Sequence, residues 1–140
     1  MKIYWMRVVA AAFLVELVLV ALTIPLLALV TMQVLVPFVG PLCAIVGFPF
    51  GWWAVRKAQS AFVLHGMLVG IVATLIYLGL IFGQAGSLKP AIAVYGPFWF
   101  FLANAAKILG CVAGAFACGR RCKRDVSSPI TEQASQTVHP

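Results

Sequence analysis

Charged residues are scarce in this sequence, and acidic residues are almost missing. Only 9% of the 140 residues are charged; ten are Lys or Arg and three are Asp or Glu. Apolar residues make up 64% of the chain, whereas soluble domains are roughly half apolar. This composition excludes an ordinary soluble domain and predicts an integral membrane protein.

The chain also lacks the short motifs that mark common catalytic and cofactor sites. It contains no P-loop, no dinucleotide-binding glycine fingerprint, no HExxH and no GxSxG pattern. Its four cysteines, Cys43, Cys111, Cys118 and Cys122, have neither CxxC spacing nor a paired set of cysteine and histidine ligands. Nothing in the sequence identifies an enzyme, so we expect no catalytic residues, no cofactor and no metal site.

Long apolar runs take up most of the chain. Four of them have about twenty residues or more, the length that an α-helix needs to cross a hydrocarbon core of roughly 30 Å. We place these spans at 6–29, 34–55, 60–83 and 94–118. The runs are continuously apolar and do not alternate, which favours helices over the strands of a membrane β-barrel. The expected fold is an all-α, four-helix membrane bundle in one domain, 1–122.

Most of the cations should lie at one end of this bundle. Eight of them fall there in a four-span arrangement: Lys2, Arg7, Arg56, Lys57, Arg120, Arg121, Lys123 and Arg124. Lys89 alone falls at the other end. Because lysine and arginine are enriched in cytoplasmic loops, we expect both termini in the cytoplasm. These cations would attract anionic lipid headgroups, and we prefer this explanation of the net charge of +7 to nucleic-acid binding.

The end of the sequence differs in composition from the rest. Residues 123–140 are mostly polar, lack periodicity and include two prolines. Such a segment cannot bury enough apolar surface to order itself. We predict a disordered polar tail on the cytoplasmic side.

Glycines recur at a spacing of four residues in three of the spans. The pairs are Gly47 and Gly51, Gly66 and Gly70, Gly79 and Gly83, and Gly110 and Gly114. Residues four apart share a helix face, and a face without side chains lets another helix come close. We expect these faces to pack the helices of one chain together, with a homodimer or another membrane protein as the alternative partner.

Four polar side chains fall inside the spans: Glu16, His65, Asn104 and Lys107. Charge is costly in a bilayer, so such residues normally face the bundle interior and find partners there. Lys107 is one candidate partner for Glu16, although helical side chains lean toward their own N-termini, which would point these two apart. His65 lies at a better matching depth, or else bonds a neighbouring carbonyl. The sequence predicts an inward-facing polar cluster that fixes helix register, with a proton or ion site as the alternative.

Residues 51–78, GWWAVRKAQSAFVLHGMLVGIVATLIYL, resemble the middle of the YrzE-like bacterial four-span membrane proteins. In that family a glycine-rich helix end passes through alanine and basic residues into a helix that opens with a His-Gly or similar pair. The matching positions here are Gly51, Ala54, Lys57, Ala58, His65, Gly66 and Gly70. The resemblance implies four spans in a bacterial inner membrane. Since that family is uncharacterised, it implies no activity.

The chain is also similar to the small multidrug-resistance transporters, which have four short spans and an acid in the first. In that family the first-span carboxylate carries proton and cation exchange, so the similarity would give Glu16 this role. Lys107 departs from the family because it could neutralise that carboxylate. We therefore expect a non-enzymatic structural, accessory or interaction protein, with a small proton-coupled transporter as the alternative. A holin-like pore-forming protein is a third hypothesis.

Overall fold

The computed structural model describes residues 3–58 and 60–136, with side chains as far as residue 122 except at residue 32. The described chain forms five helices: α1 Trp5–Leu29, α2 Met32–Val55, α3 Phe62–Ala85, α4 Lys89–Tyr95 and α5 Pro97–Gln136. Every regular element in these ranges is helical, so the described part of the chain has an all-α fold.

Four of the five helices are long and apolar enough to cross a membrane. They are α1, α2, α3 and the part of α5 from Pro97 to Cys122. The predicted spans 6–29, 34–55 and 60–83 lie within two residues of the first three helices at either end. This is the helix content of a multi-pass membrane protein.

The short helix α4 is not among the four predicted spans. The predicted last span, 94–118, crosses a break at Gly96, where φ is 75° and the chain leaves the helical conformation. Proline disfavours the helical conformation for the residue before it and suits the first turn of the helix that it opens. Pro97 therefore begins α5, and Pro90 lies in the first turn of α4.

Helix α5 continues past its apolar part as far as Gln136. Its backbone is therefore helical in most of 123–140, where the sequence predicts disorder, and residues 137–140 lie outside the described residues. Each residue added to an existing helix gains a backbone hydrogen bond, whereas a new helix must first fix several residues. Continuation from the span accounts for the helical backbone as far as Pro129, which removes one of these hydrogen bonds.

The positions of the arginines define one end of the bundle. The guanidinium of Arg7, near the start of α1, lies 5.5 Å from the centre of the Trp53 ring, near the end of α2. The guanidinium of Arg121 lies 5.5 Å from the centre of the Trp52 ring. The start of α1, the end of α2 and the end of the apolar part of α5 therefore meet, and we name this region the basic end. The connections 30–31 and 86–96 belong to the opposite end.

The core lies toward the basic end. Helix α1 has no buried residue beyond Leu19, α3 has none beyond Ala73, and α4 has none at all. Helices α1 and α5 each pack against α2 and α3. The half of the bundle next to the basic end is therefore closely packed, and the opposite half leaves space between the helices.

Candidate functional site

Glu16 and Lys107 form an ion pair in the middle of the bundle. Lys107 Nζ donates a hydrogen bond to Glu16 Oε1 at 2.5 Å. The two residues are 5% and 3% exposed. Helices α1 and α5 pack mainly on α2 and α3, so this contact links two helices across the bundle. The structure brings these two predicted site residues together, and the long flexible side chain of lysine overcomes their opposite lean.

The other two predicted members of the cluster bond to their own helices. His65 is fully buried; its Nδ1 lies 3.0 Å from the Ala61 carbonyl oxygen, and its Nε2 has no partner among the described residues. The ring of Tyr4 lies 6.4 Å from the His65 ring, which places the histidine toward the basic end. Asn104 Nδ2 donates to the Phe100 carbonyl oxygen at 2.8 Å. The expected cluster of four is therefore an ion pair, Asn104 near the pair but bonded to its own helix, and His65 apart from both.

A cavity of about 240 Å³ lies beside the ion pair, in the loosely packed half of the bundle. Glu16 and Lys107 lie at the end of the cavity nearer the basic end. Aliphatic side chains of α1 and α2 line much of it. Helix α5 contributes Phe100, Ala103 and Asn104. Because its walls are mainly apolar and its base is charged, the cavity has the character of a ligand pocket.

Hydroxyl groups add further polar positions to the cavity. The Thr23 hydroxyl donates to the Leu19 carbonyl oxygen at 2.7 Å. Lys107 Nζ lies 4.9 Å from the centre of the Tyr77 ring, a cation–π distance. Tyr95 of α4 also lines the cavity, and burial raises the pKa of its phenol above the ordinary value. Its hydroxyl therefore stays protonated at physiological pH and can donate a hydrogen bond.

Tyr77 is a site residue that the sequence analysis missed. Gly66, Gly70, Ala73 and Tyr77 follow one another in α3 at intervals of four, three and four residues. Steps of three, four and seven residues keep to one helix face. The available signal was a tyrosine on the face of α3 that carries two packing glycines, because that face is turned toward the other helices.

Six of the eight glycines expected at packing faces contact another helix. They are Gly47, Gly51, Gly66, Gly70, Gly110 and Gly114. A β-carbon at Gly51 would overlap the Cys111 carbonyl oxygen, and one at Gly114 would overlap the Phe48 carbonyl oxygen. The backbones of α2 and α5 are therefore too close at these points for any side chain between them. All six glycines lie in the half of the bundle next to the basic end.

Gly79 and Gly83 depart from that expectation. No atom lies within 4 Å of the position that a β-carbon would take at either residue. Both follow Ala73, the last buried residue of α3, and both are exposed. They do not pack against another helix of the described chain, because α3 has by then left the closely packed half.

The cations predicted to contact lipid headgroups lie at the basic end. Arg56, Lys57, Arg120 and Arg121 are exposed there. The Arg120 guanidinium lies 5.6 Å from the centre of the Phe116 ring. The predictions for Lys123 and Arg124 fall outside the described side chains.

The cysteines do not form a shared site in the described chain. All four thiols are free; Cys43, Cys111 and Cys118 are buried and Cys122 is exposed. In the described ranges, no three side chains of His, Cys, Asp or Glu are placed to hold a metal ion together.

No family model, no curated protein and no solved structure matches the chain. The resemblances to YrzE-like proteins and to small multidrug-resistance transporters therefore stay predictions. What the site can do follows from its own geometry.

Proposed function

We propose that this protein is a non-enzymatic membrane protein of structural, accessory or interaction type, held in register by its internal ion pair. The observation that carries the proposal is the 2.5 Å contact between Lys107 Nζ and Glu16 Oε1, both deeply buried. A carboxylate with a resident lysine partner is neutralised inside the bilayer without any bound ion. A transport carboxylate must instead release and regain a proton during each cycle.

The glycine contacts support the same role. Because α5 touches the backbones of α2 and α3 directly, the half of the bundle next to the basic end is a closely packed unit. An accessory protein acts through its lipid-facing surface. Gly79 and Gly83 have no atom of the described chain within 4 Å of a β-carbon position, so a second copy or another membrane helix can approach the surface closely there.

The proposal includes an orientation. The exposed cations at the basic end favour placing that end, and both termini, in the cytoplasm of the cell that makes the protein. Arg56, Lys57, Arg120 and Arg121 would then lie at the depth of anionic headgroups. The YrzE-like resemblance favours a bacterial inner membrane.

One observation favours proton-coupled transport as a second candidate function. Glu16 and Lys107 line the cavity, so a molecule that entered the cavity would reach the carboxylate. In this scheme the ion pair would have to open for Glu16 to exchange a proton. The two candidates therefore differ in whether the pair is permanent.

Proton-coupled cation flux into proteoliposomes separates the two candidates. The natural protein is compared with Glu16→Gln and with Phe13→Leu, a control change at a side chain that is 57% exposed. Absence of flux in all three, with Glu16→Gln less stable in detergent, supports the structural role. Flux that Glu16→Gln abolishes and Phe13→Leu retains overturns it in favour of transport.

A further inference from the structure

The cavity beside the ion pair has room for a small organic molecule. Its volume is about 240 Å³, and an apolar cavity of about 150 Å³ is large enough to bind benzene. A molecule with one or two rings, of about ten to twelve non-hydrogen atoms, fits this space by comparison.

The charged end of the cavity can make hydrogen bonds to such a molecule. The ammonium group of Lys107 has three N–H donors, and its bond to Glu16 uses one. That bond reaches Oε1, which leaves Oε2 as an acceptor. The pair therefore keeps a free donor on Lys107 and a free acceptor on Glu16 beside the apolar walls. Lys107 is 3% exposed and Glu16 is 5% exposed, so both side chains are more than nine-tenths buried.

The ion pair also determines the charge of a suitable ligand. Glu16 and Lys107 neutralise one another, so the described lining has no net charge to offset a charged ligand. Burying a charge without a compensating partner is strongly unfavourable. An uncharged ligand avoids this penalty and can still bond the pair through a hydroxyl or carbonyl oxygen.

One wall of the cavity borders the lipid. Val20 and Ile24 line the cavity and are 45% and 64% exposed. The cavity therefore reaches the accessible surface of the bundle beside these two residues, on the side that would face the hydrocarbon. Pro25 follows directly in α1 and removes a backbone hydrogen bond from that turn. A molecule dissolved in the bilayer has a short route into the cavity here.

We infer that this cavity is a binding site for an uncharged, lipophilic ring compound that carries a hydroxyl or carbonyl group. The ring lies among the apolar side chains, and the oxygen bonds the Glu16–Lys107 pair. The inference goes beyond the proposed function and does not depend on it, because an accessory protein and a transporter could each bind such a molecule.

Titration calorimetry on the full-length protein in detergent tests the inference, with empty micelles subtracted. The probes are 1-naphthol, naphthalene, 1-naphthamide, 1-naphthoate and 1-(aminomethyl)naphthalene, which share a ring system; 1-naphthamide is uncharged and equal in size to 1-naphthoate, so it separates the effect of charge from that of size. We expect saturable one-to-one binding of 1-naphthol, about tenfold tighter than naphthalene, the factor that one hydrogen bond to a charged group supplies. Both charged probes should bind at least about tenfold more weakly than 1-naphthol.

Variants that fill the cavity locate the binding site. Ala103→Phe, which projects a ring into the cavity from α5, should reduce 1-naphthol binding at least about tenfold. Ala105→Phe is the matched control, since Ala105 is exposed on the same helix. Val39→Phe fills the cavity from α2 and serves if Ala103→Phe does not fold.

Three results would overturn the inference. The first is 1-naphthol binding no greater than in empty micelles. The second is equal binding by a folded cavity-filling variant and by Ala105→Phe, which would place the probe elsewhere on the protein. The third is binding of either charged probe as tight as that of 1-naphthol, which would identify a site for charged ligands.

Discussion

Replacing either member of the Glu16–Lys107 pair with methionine should destabilise the protein strongly, whereas replacing both should not. At 2.5 Å, the Coulomb attraction is about 7 kcal/mol for an effective dielectric constant of about 20. Desolvation of the two charges offsets much of this attraction. Glu16→Met or Lys107→Met alone leaves the other charge buried without its partner, which costs about 3–5 kcal/mol. The double variant places two methionine side chains in the interior and leaves no unpaired charge. Its free energy of unfolding should therefore lie within about 2 kcal/mol of that of the natural protein.

Reversible unfolding by SDS in mixed micelles measures these changes. Tryptophan fluorescence reports the unfolded fraction for the natural protein, both single variants and the double variant. The losses of unfolding free energy in the two single variants, added together, should exceed the loss in the double variant by about 4 kcal/mol or more. This difference is the coupling energy of the pair. Added salt should change this coupling little, because a buried pair is screened far less than an exposed one. Single losses below about 1 kcal/mol that simply add would refute the reasoning.

Three further predictions concern packing, His65 and orientation. Gly114→Ala should lower the free energy of unfolding by about 1–3 kcal/mol, because its methyl group would overlap an α2 carbonyl oxygen; Gly83→Ala, in open space, should leave it unchanged or raise it by less than about 1 kcal/mol. His65→Leu should lower it by about 1 kcal/mol in the same titration, because it removes the bond between Nδ1 and the Ala61 carbonyl oxygen, while Nε2 has no partner in the described chain and leucine has a similar volume; a loss above about 2 kcal/mol would give the imidazole a larger structural role. The exposed thiol of Cys122 should react with a membrane-impermeant maleimide from the cytoplasmic side, and the thiol of Lys89→Cys in a Cys122→Ser background from the other side; the reverse pattern would invert the proposed orientation.

The four long helices follow from the sequence because hydropathy alone defines them. An apolar run of about twenty residues has few alternatives to a spanning helix, since every backbone polar group must be bonded within it. The break at Gly96 is different in kind. The break depends on the positive φ of Gly96 and on the proline that follows it. The hydropathy of these residues is similar to that of their neighbours, so a hydropathy pattern does not reveal the break. The seven residues of Lys89–Tyr95 are also too few to show a helical period.

The partner of Glu16 could not be chosen from the sequence. Counting residues gives depth along each helix, and by depth His65 matched Glu16 better than Lys107. Depth carries no information about the rotation of one helix against another. In the structure the His65 ring bonds the Ala61 carbonyl near the basic end, and Lys107 reaches Glu16 across the bundle. The rotation of each helix is determined by the packing of all four long helices together, so it cannot be derived from the sequence of any one of them.

The ion pair lies where the bundle changes character, and that position explains both its burial and the cavity beside it. Toward the basic end, the backbones of α2 and α5 touch at Gly51 and Gly114, so this half of the bundle has little free volume. Farther along, beyond Leu19 and Ala73, α1 and α3 bury no further residues. The boundary between these regions has packed walls on one side and free volume on the other. The closely packed half would then hold the pair in place while the looser half, with fewer buried contacts to break, moves to admit a ligand.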